Sequence, residues 1–331
     1  MRKMIWLLII LAALWGAWWM LATTQMQNVL ARAFDDRREA GWEVTVKDIS
    51  KAGFPLLLQN RLSGLSLADP KQDFAVEAPQ LDLSAPVWWP GDLAVQAPVA
   101  RVELRAGALP LELNLRDMRA DLSLHPGLAL QLEGMQIRSA QMQVDGPDGL
   151  LLEAEEPRAV VQQSSDAATD YGIALLPGSI TPGPLLRKVL GDAAGPPILS
   201  ARMAVSLAKP LDRHTVMQRT IPEVRALSIE NIDATWGDVA LAAEGALSFD
   251  AEGRPDGTLS LRITNWSQLL DAVERAALLP SSMRAQVDTV LRVLENRSGT
   301  AGALDLDLVI TQGEMALAGI PLGPAPRLIQ P

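Results

Sequence analysis

The sequence contains no cysteine and only two histidines among its 331 residues. The missing cysteine excludes disulfide bonds, thiolate metal sites and cysteine nucleophiles, and it is compatible with an oxidising envelope compartment. A zinc site usually needs three or four ligands from His, Cys or carboxylates. His125 lies in a Pro-Gly turn, and His214 lies far from it in a polar stretch with helical character. We therefore expect no metal site and no cofactor, and we interpret both histidines as surface residues.

Aromatic residues and clustered positive charge are also scarce. Aromatic residues make up 4% of the chain, with nine Trp against one Tyr and four Phe, so Leu, Val and Ala must form the core of a sequence that is 48% hydrophobic. The formal net charge is −10, and the basic residues are scattered singly or in pairs. Nucleic-acid binding needs clustered Lys and Arg, so the composition argues against it. The length is typical of one large domain or two intimate ones behind an anchor.

A long uncharged run, MIWLLIILAALWGAWWMLA, extends from Met4 to Ala22. Its nineteen residues would form about 28 Å of helix, close to the hydrocarbon thickness of a bilayer. Arg2 and Lys3 precede the run, so the positive-inside rule places the N-terminus in the cytoplasm and the body across the membrane. We predict a transmembrane anchor over residues 1–22, single-pass in the inner membrane, with a periplasmic body. Tryptophans near its far end suit an interfacial aromatic belt: Trp15, Trp18 and Trp19.

A cleaved signal peptide is the competing interpretation of this run. Its apolar region would be shorter, about 7–15 residues, and a small-residue cleavage site would follow it. Here bulky Trp18 to Leu21 precede Ala22, so an uncleaved signal-anchor is favoured. A helix buried in a soluble core is the third and least favoured reading.

After the anchor the hydrophobic period changes twice. Residues 23–40 carry Met26, Leu30 and Phe34 at helical spacing, which predicts an amphipathic stalk helix that continues the anchor and ends at Gly41. From Trp42 the period is two, most clearly in Leu111 to Leu115. Strict alternation is typical of antiparallel sheet with one apolar face. A change of parity around Asp117-Met118 predicts a bulge or a bend.

These patterns predict a mainly β fold with a few helices (α+β): a transmembrane helix followed by curved antiparallel sheet with an apolar face. Residues 41–176 form an N-terminal β-rich half and residues 198–331 a C-terminal one. Residues 177–197, rich in Pro and Gly, form either a seam between the halves or a long loop within one sheet. The helical spacing of apolar residues over 265–297 predicts a helical hairpin. Asn265 can cap its first helix, and Ser281 or Ser282 can cap its second. The Pro-rich tail from Gly319 should lie extended along a sheet edge.

No catalytic constellation is recognisable in the sequence. A nucleophile elbow, a phosphate loop and a dinucleotide fingerprint are all absent. Two groups of acids could in principle supply a general acid and base: Glu153/Glu155/Glu156 and Asp305/Asp307. Asp305 and Asp307 alternate with leucines, so they mark the polar face of a strand. We expect no catalytic residues and a protein that is not an enzyme.

Two glycosylation triplets and one tryptophan pair complete the candidate features. Asn265-Trp266-Ser267 and Asn296-Arg297-Ser298 match a triplet that is common by chance. Trp88-Trp89-Pro90-Gly91 could stack on a ligand or rest on a membrane surface. Because adjacent strand residues face opposite ways, we expect one Trp in the core and the other exposed, with core packing as the favoured role.

Four groups of short patterns resemble a known family. The first is Gly41-Trp42 followed by Gly53-Phe54-Pro55-Leu56, and the second runs from Ala78-Pro79 to Pro86-Val87-Trp88-Trp89-Pro90. The third is Trp236-Gly237 leading into Gly245-Ala246-Leu247 and Asp250 to Gly257. The fourth is Gly313-Glu314-Met315 leading to Gly319-Ile320-Pro321-Leu322-Gly323-Pro324. With the anchor, these patterns resemble domain-of-unknown-function family 2125 of membrane-anchored proteins in Gram-negative envelopes, which has no catalytic residues to carry over.

The repeated one-sided strands also resemble those of AsmA-like proteins, whose anchored periplasmic sheets curl into an apolar groove and which are associated with phospholipid movement and outer-membrane maintenance. The resemblance implies, at fold level, a lipid-handling or envelope-maintenance protein. Its partners would be the membrane, phospholipid or envelope proteins, and not nucleic acid. The alternative is a non-enzymatic scaffold that binds partners through exposed sheet edges, with its apolar faces closed against each other. A hydrolase ranks last.

Overall fold

A computed structural model of the chain describes residues 2–69, 73–106, 109–190, 196–213, 215, 222–250, 252–275, 281–298 and 300–325. The chain divides into two compact units. Unit 1 comprises residues 1–126 and 137–147, and unit 2 comprises residues 127–136 and 148–331. His214 lies outside the described residues.

Unit 1 begins with one uninterrupted helix, α1 (Arg2–Glu39), of 38 residues and about 57 Å. The predicted anchor and stalk are therefore a single helix, and its segment Ile9–Glu39 is long and apolar enough to cross a membrane. The predicted stop at Gly41 is confirmed: Gly41 has a φ of 92°, and Trp42 N donates to Arg37 O at 3.0 Å. A left-handed glycine that closes the last turn in this way is a common helix C-terminus.

The strands of unit 1 pair in antiparallel fashion in the order β2–β3–β4–β5–β6–β8, and β1 also pairs with β3. Their bounds are β1 (Glu43–Thr45), β2 (Asp48–Ala52), β3 (Leu57–Asp69), β4 (Phe74–Pro86), β5 (Asp92–Ala106), β6 (Leu109–Leu124) and β8 (Gln141–Gly146). The strand β7 (Leu132–Arg138) contributes its last two residues to this unit. The inner stripe of α1 packs on β3 through Leu30 and Phe34, which contact a core that includes Leu62 and Leu65.

The two faces of the unit 1 sheet differ in chemistry. The register places Leu83, Val95, Ala120 and their alternate neighbours on one face, and Asp82, Gln96 and Arg119 on the other. The second face carries cross-strand ion pairs such as Arg61 with Asp82. The predicted antiparallel, one-sided strands are therefore confirmed here.

The parity change predicted at Asp117-Met118 is part of a line that crosses the sheet. Asp117 has a left-handed φ of 49° and Gly64 a φ of 62°, and these two residues flank Pro79 and Pro98 on the intervening strands. Proline cannot donate to a ladder, so it interrupts pairing where it occurs. On each of these strands the apolar positions change between odd and even residue numbers at this level. The apolar side chains therefore lie on the same face of the sheet on both sides of the bend. The register across β5 and β6 is unchanged by the interruption, so the feature is a bend rather than a register-shifting bulge.

Unit 2 is a second antiparallel assembly, in which β11, β13, β14, β15, β16, β17, β18 and β19 pair in that order. On the other side β11 pairs with β10 and β10 with β7, while β9 and β12 pair with each other. Their bounds are β9 (Gly149–Glu155), β10 (Arg158–Gln163), β11 (Asp170–Leu176), β12 (Ser179–Pro182), β13 (Ile198–Leu207), β14 (Val224–Trp236), β15 (Val239–Phe249), β16 (Pro255–Thr264), β17 (Ala303–Thr311), β18 (Glu314–Leu317) and β19 (Ile320–Pro324).

The helices of unit 2 include α2 (Pro184–Leu190), α3 (Trp266–Arg275) and α4 (Ser281–Ser298). The predicted helical hairpin is confirmed as α3 and α4, with residues 276–280 outside the described part. Trp266 and Leu270 of α3 and Leu294 of α4 bury against Leu304 and Leu306 of β17, so the hairpin covers part of the apolar side of the unit 2 strands.

Asn265 precedes α3 as predicted, but its side chain does not cap the helix. Its Nδ2 donates to Asp238 O, and the first turn closes instead on its backbone carbonyl, which accepts from Gln268 N at 3.0 Å. A φ of 56° at Asn265 gives it a left-handed conformation, whereas an N-cap residue has extended dihedrals.

The predicted division of the body into residues 41–176, 177–197 and 198–331 stays a prediction. Within the 177–197 stretch, the structure describes β12 and α2, and residues 191–195 lie outside its description. The tail from Gly319 forms β19, which pairs with β18, as expected of an extended edge segment. Residues 326–331 lie outside the described part. The mainly β fold with a few helices is confirmed.

Candidate functional site

The acids considered from sequence as catalytic candidates lie on the polar strand faces, beside basic or hydroxyl partners. Asp305 accepts hydrogen bonds from Arg262 Nε at 2.6 Å and from Nη2 at 3.0 Å, and this contact holds the pKa of the Asp305 carboxyl below its ordinary value. Asp307 accepts from Ser260 Oγ at 2.6 Å. The interpretation of both as polar-face residues is confirmed.

The second group of acids is not gathered into one site. Glu153 pairs with Thr181 across the β9–β12 ladder, and Glu155 pairs with Ser179. Glu156 has a φ of 52° and lies 3.4 Å from Arg158. Within the part of the chain that the structure describes, no three His, Cys, Asp or Glu side chains are grouped so as to hold a metal ion. The absence of catalytic and metal-binding residues stays a prediction.

The tryptophan pair divides between two environments, as the alternation predicts. Trp88 is 71% exposed, while Trp89 is half-buried with its ring against Gly91. Core packing, the favoured role for the pair, is therefore wrong for Trp88. Its neighbour Val87 is buried, so the loop is fixed to the sheet while Trp88 points away from the core.

The most extensive feature of unit 1 is the apolar sheet face itself. We call the following residues the apolar face: Leu83, Leu93, Val95, Val102, Leu104, Leu111, Leu113, Leu115, Leu122 and Val144. Every one of them is only partly buried. Large aliphatic side chains in a closed protein core are normally fully buried, so this face is incompletely covered.

The same sheet is well covered where α1 lies on it. Leu62 is 1% exposed, and Leu65 and Ala78 are also buried beneath the helix contacts of Leu30 and Phe34. The transition from buried to partly exposed leucines therefore follows the strand order, from β3 toward β5, β6 and β8. The uncovered part begins beside the helix and continues away from it.

A cavity of about 520 Å³ lies at the end of this sheet that is remote from the β4–β5 loop. Its lining includes the apolar residues Phe74, Leu104 and Leu111 and the acidic residues Asp69, Glu103 and Asp145. Pockets of this size hold small organic ligands. The register places Glu103, Glu112 and Asp145 in one row on the polar face of the sheet, so this pocket does not belong to the apolar face.

Unit 2 repeats the arrangement within its own sheet. One face of these strands, which includes Met203 and Leu241, carries apolar residues on every strand from β11 to β17. Many of these residues are only partly buried: Ile173, Val205, Leu227, Ile229, Ile232, Leu259 and Leu261. The buried residues of this face include Leu304 and Leu306 under α3 and α4, and also Ala201, Leu247 and Ile310. The only tyrosine, Tyr171, is also buried on this face, and its hydroxyl accepts a hydrogen bond from Leu211 N at 2.9 Å. Burial raises the pKa of that phenol, which keeps it neutral.

Sequence reasoning found the alternation but missed one exposed apolar turn, Gly53 to Leu57. Phe54 and Leu56 are exposed there, and the turn is bonded to α1. The signal was present, because two apolar residues in a Gly-Pro turn are unusual for a solvent loop. Its significance depends on the helix that lies beside it, and that contact joins residues about 40 apart in the sequence.

Comparison with known proteins agrees with the resemblance seen in the short motifs. Residues 19–326 match the family described as an uncharacterized protein conserved in bacteria (DUF2125). A comparison with curated proteins finds no match. The family match covers most of the chain, including the C-terminal half of α1, both sheets and the α3–α4 hairpin. The chain belongs to the DUF2125 family.

Proposed function

We propose that this protein is a membrane-anchored lipid-handling protein of the bacterial envelope, whose apolar sheet faces receive acyl chains. The observation that carries the proposal is the apolar face of unit 1, on which leucine and valine side chains of neighbouring strands remain partly exposed. Contiguous exposed apolar surface on a folded protein usually marks a binding surface.

The free energy of transfer supports an apolar occupant. Burying apolar surface contributes about 25 cal/mol per Å², so a face of this length would gain several kcal/mol by covering itself with an acyl chain. The opposite face carries ion pairs between neighbouring strands, such as Arg101 with Glu112 at 2.6 Å. The two faces are therefore suited to different media, one to water and the other to hydrocarbon.

The same helix supports a location that is also part of the proposal. Arg2 and Lys3 precede the apolar part of α1, so the positive-inside rule favours a cytoplasmic N-terminus and a periplasmic body in the inner membrane. The role would be non-enzymatic, in envelope maintenance or lipid transport, as the likeness of the one-sided strands to AsmA-like proteins implies. Phospholipid is the ligand class that this chemistry selects.

Lipid retention by the full chain tests the proposal. The protein would be purified in a detergent that strips loosely bound lipid, then examined by native mass spectrometry and lipid extraction. The matched variants are Val95→Glu and Gln96→Glu, which add a negative charge to adjacent residues on opposite faces of β5. We expect phospholipid near one per chain in the wild type and in Q96E, and a loss of most of it in V95E.

Circular dichroism of both variants separates a blocked face from an unfolded protein. Wild-type protein that carries no phospholipid, or a folded V95E that retains it fully, would overturn the lipid-binding proposal. A stable, lipid-free chain would favour the scaffold alternative, in which sheet edges bind partner proteins.

A further inference from the structure

The helix α1 is bonded to the body well inside its apolar segment. Trp15 Nε1 donates to Pro55 O at 3.0 Å, and Trp19 Nε1 donates to Leu57 O at 2.7 Å. The rings of Trp19 and Phe54 also meet edge to face, with centroids 5.3 Å apart. The turn between β2 and β3 is thus fixed to the helix at the level of Trp15 and Trp19.

Apolar side chains of this turn and of the β4–β5 turn are exposed. Phe54 is 59% exposed and Leu56 is 58% exposed. Val87 N donates to Leu56 O at 3.1 Å, which places the β4–β5 turn, with exposed Trp88, beside them. We call Phe54, Leu56 and Trp88 the apolar rim.

The outer surface of α1 changes from apolar to polar beyond this level. Trp18, Met20 and Leu21 are exposed, whereas the exposed residues of the following turns are mostly polar, with Gln25, Asn28 and Arg32 beside exposed Val29. Lys51 Nζ donates to Thr24 Oγ1 at 2.7 Å, so a charged group of the body lies where the polar surface begins. The helix surface suited to lipid therefore ends near Ala22.

The positions of Trp15 and Trp19 along α1 give their depth below the end of the apolar helix surface. At 1.5 Å per residue, Trp19 lies about 5 Å and Trp15 about 10 Å before Ala22. Arg2 and Lys3 bound the uncharged run, and its part from Met4 to Leu14 is only about 17 Å long, which is shorter than the roughly 30 Å hydrocarbon core. A helix that spans the bilayer must therefore carry the level of Trp15, and the body turn bonded to it, into the membrane.

We propose that the apolar rim inserts into the outer leaflet of the same membrane beside α1, as a second attachment of the body to the bilayer. This inference rests on the membrane anchoring proposed above and is independent of lipid carriage. The occupant of the rim is lipid, because the rim is continuous with the helix surface that faces lipid.

Two pairs of polar groups between α1 and the turn satisfy each other, which lowers the cost of insertion. An unpaired backbone or side-chain donor in hydrocarbon costs several kcal/mol. The indole N–H groups of Trp15 and Trp19 and the carbonyls of Pro55 and Leu57 satisfy one another. Lys51, at the level of Thr24, has the length to place its ammonium among the headgroups. The depth of about 5–10 Å is that of known interfacial attachments.

Spin labels on the cysteine-free chain can measure the depth directly. Single cysteines would replace Leu56, Trp88, Leu11 and Val99 in the full chain, reconstituted in phosphatidylethanolamine–phosphatidylglycerol vesicles. Val99 is the matched control, an apolar residue that is 50% exposed on the polar face of β5. Leu11 reports on α1 itself. Each label is tested for collision with oxygen, which concentrates in lipid, and with a water-soluble nickel chelate.

We expect the labels at positions 56, 88 and 11 to collide mainly with oxygen and the label at 99 mainly with the nickel chelate. A lipid-exposed label at 11, with labels at 56 and 88 that behave like the one at 99, would overturn the rim insertion and leave the anchor intact. Rim labels that neither reagent reaches would overturn it in favour of a protein contact. A label at 11 that is exposed to the nickel chelate would overturn the proposed anchoring as well.

Discussion

Asn60 is a polar residue on the apolar side of β3, between Leu58 and Leu62. Its side chain is completely buried, and neither its Nδ2 nor its Oδ1 atom has a hydrogen-bond partner among the residues that the structure describes. A buried amide without partners loses the free energy of its hydration without regaining it. The residue lies close to the level at which α1 changes from an apolar to a polar outer surface, since Asn60 pairs with Lys51 across the β2–β3 ladder.

Replacing Asn60 by leucine should therefore stabilise the protein. We expect Asn60→Leu to raise the free energy of unfolding by about 1–3 kcal/mol, because the desolvation cost of the amide disappears. Asn114 is the matched control, since it lies on the polar face and donates to Glu112 Oε1 at 2.8 Å. Asn114→Leu should give no gain. Thermal unfolding in detergent measures both, and a lower midpoint for N60L than for wild type would contradict the account of Asn60.

The ion pair of Asp305 with Arg262 predicts a pH-dependent contribution to stability. The hydrogen bonds from Arg262 lower the pKa of Asp305 from its ordinary value of 3.8. A carboxyl whose pKa is lowered by folding contributes stability above its unfolded pKa, and this contribution is lost as the pH falls through the folded pKa. Wild type should thus be more stable than Asp305→Asn between pH 5 and 7, roughly the plateau for a carboxyl, with a gap that closes on acidification below 3.8.

The background Arg262→Gln provides the control for this ion pair. In that background, Asp305→Asn should change stability by the same small amount at neutral and acid pH. Urea titrations at several pH values measure the gap. A difference between D305N and wild type that persists unchanged at pH 3, below the ordinary pKa of the carboxyl, would contradict the assignment.

Single residues illustrate what sequence reasoning could and could not reach. The exposure of one tryptophan of the 88–89 pair followed from alternation, because neighbours on an extended strand face opposite ways. Which of the two is exposed depends on how Val87 and Gly91 anchor the turn. The role of Asn265 was missed, because its position before a helix favours capping, and only the folded chain brings Asp238 O to its amide.

Among the elements, the apolar face of unit 1 makes a prediction about packing. Leu113 is partly buried on β6, whereas Leu62 on β3 is 1% exposed beneath α1. We expect Leu62→Ala to lower the free energy of unfolding by about 2–5 kcal/mol, as for a filled core. Leu113→Ala should cost only about 1 kcal/mol, because fewer contacts are lost and water already reaches the site.

Chemical denaturation of the two variants under identical detergent conditions measures this difference. Leu122→Ala, on the same strand and face, should behave like Leu113→Ala. Equal losses at Leu62 and Leu113 would mean that the face is as closely packed as the core, and the groove interpretation would then lose its basis.

The elements were largely predictable because each is dominated by local periodicity. The continuous α1, the alternating strands and the α3–α4 hairpin all follow from spacing of apolar residues. The bend across β3 to β6 was visible at only one of its positions, Asp117. Gly64, Pro79 and Pro98 share that level only because the strand register aligns them, and register is a tertiary property.

At the scale of the whole molecule, the two units share one design. Each has an antiparallel sheet with one apolar and one polar face, and in each a helical element covers only part of the apolar face. Sheets of this kind must cover the apolar side with another layer or another apolar partner. The sequence could predict the one-sidedness, but not how much of each face the helices leave open.

A photo-crosslinking scan along β6 tests the central claim most directly. A photoreactive amino acid would replace Leu111, Glu112, Leu113, Asn114 and Leu115 one at a time in the full chain, which is irradiated in its native membrane and analysed for covalently attached phospholipid. The account predicts attachment at 111, 113 and 115 and little at 112 and 114, following the alternation of the strand. Attachment at none of the positions, or attachment equal on both faces, would contradict the claim that the apolar face binds acyl chains.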